Sequence, residues 1–189
     1  TGLVIVLAGL TWQQVGIYQS PQRLWRDTLA KNPGCWLAHN QLANMVRSSQ
    51  KVDDARQHYL AALELIEQQF GTGHVETARV HNNLGMLLGQ ASREAPRPEL
   101  MPQAVTHLET ACRIDPARGE YVKNLAGVLR EQGRLGRAIG RLRNFVGRHP
   151  DSRGTWIVLA DCLEDAGRQA EADEARRHGR SNDLRRQQP

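Results

Sequence analysis

The chain has 189 residues, of which 40% are hydrophobic, and a net charge of +5 at neutral pH. That apolar share suffices for a packed core, but aromatic residues at 5% leave leucines and small side chains to fill it. The basic charge is mostly arginine, with Lys31, Lys51 and Lys123 the only lysines, and lacks the one-faced concentration that phosphate tracking needs; nucleic-acid binding is not expected.

Gly2 to Leu10 is an unbroken apolar run, followed by Trp12 and ended by Gln13 and Gln14. Crossing a bilayer takes about 20 apolar residues, so this run cannot span one alone. It has neither the charged start nor the cleavage site of a secretory signal. It also lacks the polar face of a surface helix. With Thr1 in place of an initiating methionine, residues 1–19 read as the apolar end of a truncated membrane-spanning helix. Trp12 and Tyr18 would sit at the membrane–water interface. A short helix covering the following array is the alternative. Ser20-Pro21 then reads as a helix start, with a capping serine and proline in the first turn. The helix through Trp25 and Leu29 stops near Pro33-Gly34, and residues 20–35 look like half of a repeating unit.

From Trp36 onward a leucine followed by a small residue recurs, at Leu42-Ala43, Leu84-Gly85, Leu125-Ala126 and Leu159-Ala160. A second small residue follows each anchor, at Ala55, Ala104, Ala138 and Ala172. The spacing predicts four pairs of helices, over about 36–69, 78–118, 119–152 and 153–180. In the first, Ala55, Tyr59 and Ala62 form one stripe, and Gly71 and Gly73 supply the exit turn. In the second, seven extra residues separate the anchor from its alanine. They include Pro96, Pro98 and Pro102, which would interrupt a continuous helix. This insertion around Arg97 reads as a tolerated loop, with a contact role as the alternative. The third pair turns at Gly133 and ends at Pro150; the fourth turns at Gly167. In the fourth, Arg176 and Gly179 occupy slots held by Leu142 and Phe145 one unit earlier, as expected of a polar cap. Residues 181–189 have little to bury and read as a mobile tail.

The last two anchors are 34 residues apart, and this pattern resembles the tetratricopeptide repeat from about Pro21 to Arg180. The resemblance implies an all-α fold, a right-handed superhelix (α-solenoid) of helix-turn-helix repeats behind an N-terminal apolar helix. It also implies a surface that binds protein. The stretch LELIEQQFGTGHVETARVHNNLGMLL looks like the longer repeats of kinesin light chains, which supports the boundaries without implying motor cargo. The order Trp12, Tyr18, LWRDTLAKNP, WLAHNQLA resembles the junction in transmembrane and tetratricopeptide-repeat-containing protein O-mannosyltransferases and their bacterial relatives. That likeness covers about 35 residues. It implies repeats on the periplasmic or lumenal side of a membrane, with the cytoplasmic side as the alternative. The catalytic acidic residues of that family lie in a membrane domain absent here, so no catalytic residue is carried over.

The residues themselves suggest no catalysis. There is no HExxH, phosphate loop or dinucleotide fingerprint. Cys35, Cys112 and Cys162 are scattered and without a CxxC, and the latter two fall in predicted helices as small apolar fillers. His39 and His81 occupy the same slot in adjacent repeats and could be neighbours at the seam, but two further metal ligands are missing. No metal or cofactor is expected. Arg134, Arg137 and Arg141 form a stripe on the third repeat, and Glu164, Asp165, Glu171, Asp173 and Glu174 follow in the fourth. The stripe reads as a solvated face partly paired with the fourth repeat. The cations of carboxylate-clamp repeats are absent from their slots.

Polar residues do recur beside the anchors of the first helices: Asn40, Asn44, Asn82, Asn83, Lys123 and Asn124. An asparagine both donates to and accepts from a peptide backbone, whatever the peptide's side chains. These six are the candidate peptide-binding groove, although asparagines tying one repeat to the next would show the same pattern. The function expected is a protein-interaction module on the C-terminal side of a membrane protein. The alternative is an acceptor-presenting domain of a membrane-embedded glycosyltransferase.

Overall fold

A computed structural model describes residues 20–46, 51–94 and 97–185. The apolar segment 1–19, and with it the reading as a membrane-spanning end, lies outside the described residues. The described residues form nine helices and no strand, in two compact units divided between His74 and Val75. No helix among them is long and apolar enough to cross a membrane.

The first unit holds α1 (Pro21–Lys31), α2 (Trp36–Val46) and α3 (Val52–Phe70). Pro21 takes the first turn of α1, where a missing amide hydrogen costs nothing. Ser20 is extended, as a capping residue is, but its hydroxyl makes no capping bond. The sides of α2 and α3 that meet are lined by Ala38, Leu42 and Ala43 against Ala55, Tyr59, Ala62 and Ile66, all buried. Tyr59 is fully enclosed and its hydroxyl donates to Asn44 at 2.6 Å, so a large ring is buried without stranding its oxygen. The helix ends at Phe70, and Gly71 turns the chain with a φ of 84°.

The second unit runs through α4 (Val75–Glu94), α5 (Leu100–Ile114), α6 (Gly119–Glu131), α7 (Leu135–Arg148), α8 (Arg153–Asp165) and α9 (Gln169–Arg185). Each helix packs on the next, and α4, α6 and α8 also touch in succession. The first helices of consecutive repeats therefore share one face. Leu84, Leu88, Leu125, Leu129 and Leu159 are buried along the seams, each stabilising by about 1.5–3 kcal/mol relative to exposure. At Gly133 and Gly167 the φ values are 70° and 71°, and the following amides reach back five residues, Arg134 to Leu129 and Arg168 to Leu163. These left-handed closures satisfy the last carbonyls of α6 and α8 and reverse the chain within three residues.

The insertion in the second repeat is absorbed largely by helix. Here α4 has 20 residues where α6 and α8 have 13 each, and α5 begins at Leu100 with Pro102 inside its first turn. Pro102 thus lies within a helix start, where proline is harmless because no amide bond is due. At the other end, α9 continues to Arg185, beyond the position where a free tail was expected.

The anchor motif has a steric reason. Gly85 faces α5 so closely that a Cβ there would lie 2.7 Å from Leu108 Cγ and 3.0 Å from the Ala104 carbonyl oxygen. Ala43, Ala126 and Ala160 fill the equivalent slots and are completely buried. Gly127, by contrast, has open space where a Cβ would stand. Gly85→Ala should therefore destabilise the fold by about 1–3 kcal/mol. Gly127→Ala should stabilise it by roughly 0.5–1 kcal/mol, through the helix entropy that glycine forfeits. Chemical denaturation of the two variants checks both signs.

Candidate functional site

The six candidate residues divide by burial. Asn40 on α2 and Asn82 on α4 are buried, whereas Asn44, Asn83, Lys123 and Asn124 are half-exposed. In the first unit, Asn44 accepts from Tyr59 and donates to Gln41 at 3.1 Å. In the second, the Asn124 amide donates to the Asn82 oxygen at 2.8 Å, joining α6 to α4. Asn82 in turn points its amide at Asn83, at 3.5 Å. Lys123 extends toward α8, its Nζ 3.3 Å from where a Cβ on Gly154 would stand. So the buried asparagine works as a tie between repeats, and the half-exposed residues beside it sit on the face that α4, α6 and α8 share.

The arginine block is paired in both directions. Arg137 and Arg141 on α7 both donate to Glu109 on α5, at 2.8 and 3.0 Å, and Arg143 pairs with Glu171 on α9. Arg93 binds Glu131 at 2.7 Å, and Arg130 binds Asp165, linking the C-terminal ends of α4, α6 and α8. Of the stripe, Arg137 and Arg141 thus pair with the second repeat rather than with the fourth as expected, and Arg130 and Arg143, outside the stripe, are the arginines that reach the fourth. These pairs are exposed and each is worth little to stability. Their effect here is to balance the stripe, which is not a bare cationic face.

The histidines follow a rule that sequence reasoning missed. His39 and His81 both have partners within their own repeats. Each meets a histidine from the second helix of its own repeat: Nδ1 to Nδ1 is 2.9 Å for His39 and His58, and 2.9 Å for His81 and His107. A signal for this existed, because His58 and His107 each stand three residues after the small residue that opens the second helix. The other three histidines also stack on rings, His74 on Phe70, His149 on Phe145 and His178 on Trp156. Burial is the main cause that lowers the pKa of His39, with the Pro33 carbonyl opposing it as an acceptor. For His58 burial again leads, joined by His39 and Arg26 and opposed by Asp54. His81 is pushed to about 4, by burial first and then by His107 and Arg113.

Cys112 packs beside Ala111 and Tyr121, and burial raises its thiol to about 11, which removes it as a nucleophile at neutral pH. Cys162 is wholly buried. Among the described residues no three histidine, cysteine or acidic side chains gather as a metal cluster.

Helical pairs built on close-packed small residues, with first helices sharing a face, define a helical-repeat interaction protein. Tetratricopeptide repeat models match residues 35–96 and 123–183, more than half of the chain between them, and the chain belongs to the tetratricopeptide-repeat family. Its fold is similar to that of MamA from Desulfovibrio magneticus RS-1, at 12% identity over 88% of this chain and 86% of that one, with a TM-score of 0.67. It is also similar to a kinesin-light-chain-type protein of Podosopora anserina with nearly identical repeats. There the identity is 18%, the coverage 95% and 93%, and the TM-score 0.68. BtubC (BKLC) from P. vanneervenii is 18% identical over 91% of this chain and 75% of that one, with a TM-score of 0.69. At such identities these likenesses speak for the fold alone. No curated protein matches the sequence.

The depressed histidines predict acid sensitivity. His81 binds a proton near pH 6.5 when unfolded and only near 4 when folded, so between these values the unfolded state holds more protons. Its contribution is complete above about pH 6.5 and declines as the pH falls toward 4. The melting temperature should drop by several degrees from neutral pH to about pH 5, above the range in which exposed carboxylates titrate. His81→Gln should flatten that dependence in thermal melts across the interval.

Proposed function

We propose that the chain is a protein-interaction module whose second unit binds an extended segment of a partner on the face shared by α4, α6 and α8. The observation that carries this reading is the Asn124–Asn82 bond. It fixes the Asn124 side chain by its nitrogen and so orients the carbonyl oxygen, beside half-exposed Asn83 and Lys123 on the same face. A fixed amide loses little entropy when it pairs with a peptide backbone. Asn40 and Asn82, being buried, support the face rather than touch a ligand. Asn44 belongs to the first unit, where Tyr59 positions it in the same manner.

Attachment to a membrane through residues 1–19 and a place beside a glycosyltransferase domain rest on the apolar run and the junction likeness alone. Neither draws support from the described residues, and the interaction reading does not depend on them. Catalysis by this chain is not part of the proposal.

Selecting binders from a random peptide library against the whole chain supplies a probe, whose affinity is then titrated. Replacing both Asn83 and Asn124 by alanine should weaken it roughly tenfold or more, at about 0.5–1.5 kcal/mol per lost hydrogen bond. Amidating the peptide's C-terminus should change little, because clamp cations are absent. Unchanged affinity in a double variant that melts like wild type would move the binding surface elsewhere.

A further inference from the structure

The pair His39–His58 differs from His81–His107 in its surroundings, although the nitrogen separation is the same. The first pair lies on the wall of a cavity of about 630 Å³ within the first unit, formed also by Gln22, Arg26, Lys51, Asp54 and Gln57. Asp54 stands one helical turn before His58 on α3 and acts on that ring electrostatically. The second pair has Arg113 as its charged neighbour.

The separation itself is informative. Two nitrogens that each lie about 2.0–2.1 Å from one ion are about 2.9 Å apart when they subtend a right angle, and about 3.4 Å apart at the tetrahedral angle. The observed 2.9 Å therefore suits adjacent positions of a tetragonal or octahedral ion rather than a tetrahedral one. The same distance also suits an N–H···N hydrogen bond. The first pair has, in the cavity it lines, room for the remaining ligands, which must be water since two histidines alone cannot fill the shell. The Pro33 backbone raises the proton affinity of His39, opposing the larger effect of burial.

We propose that His39 and His58 form a two-histidine site for a divalent transition-metal ion of tetragonal or octahedral preference, such as Ni²⁺ or Cu²⁺, with waters from the cavity completing its shell. Asp54 offsets part of the repulsion from Arg26 and Lys51 and hydrogen-bonds a bound water. Both rings are neutral at physiological pH, as ligation requires, because burial lowers their proton affinity. A bound ion would clamp α2 to α3 and so couple metal supply to the stability of the first unit.

The test titrates Ni²⁺, which does not oxidise Cys35, into the untagged, chelator-stripped chain by calorimetry at about pH 7.5. One equivalent should bind saturably and raise the melting temperature in proportion to the logarithm of ion concentration. His39→Gln and His58→Gln should each abolish the signal over the same concentrations, and Asp54→Asn should weaken it. His81→Gln, with its pair in the other repeat, should leave it intact. Wild-type melting of the variants without ion shows that they fold; if one fails, the other histidine variant decides. Absence of saturable binding would overturn the proposal. So would survival of binding in a folded His39→Gln or His58→Gln chain, or its loss in His81→Gln.

Discussion

Close approach between the two helices of a repeat is the constraint from which the rest of this fold follows. A single amphipathic helix pair cannot cover its own apolar face, so each pair must present that face to the next. The backbones can come near only where a side chain is nearly absent. Gly85 meets Leu108 and the Ala104 carbonyl with no room for a methyl group. Ala43, Ala55, Ala104, Ala126, Ala138, Ala160 and Ala172 are all completely buried at corresponding slots. With so few aromatic residues available, this small-to-large interdigitation carries the packing that rings supply elsewhere.

Close seams make polar groups there consequential. A buried donor without an acceptor costs about 1–3 kcal/mol, and several polar residues at these seams are arranged in complementary sets. Tyr59 reaches Asn44, Asn124 reaches Asn82, and histidine reaches histidine in the first two repeats. The third and fourth repeats have Val122 with Arg141, and Trp156 with Ala175, at the matching positions, and so lack such a pair. The chain thus divides into a part whose helix pairs bury titratable imidazoles and a part held by leucines and exposed ion pairs.

Legibility of the site was uneven. The recurrence of asparagines near the anchors was visible, but their two roles were not separable along the chain. Asn82 and Asn83 are adjacent, and rotation of about 100° per residue buries one and half-exposes the other. The histidine pairing was hidden for a related reason. His39 and His81 share a slot, which invites pairing along the stack, yet their contacts run across the hairpin to His58 and His107. Matching these partners requires the offset between helices, and the insertion in the second repeat changes that offset.

Residue identity and spacing alone determined the fold class, the glycine turns at Gly71, Gly133 and Gly167, and the stripe of small residues. Steric exclusion and helical periodicity act over one or two turns, so they are written locally. Tertiary structure decided how the seven-residue insertion was accommodated, as a longer α4 and an earlier proline-bearing α5 rather than a loop. It also decided that Glu109 receives two arginines, and that the His39–His58 pair faces a cavity beside a carboxylate. Those outcomes depend on which faces of separate helices come into register, a property of packing that no single segment contains.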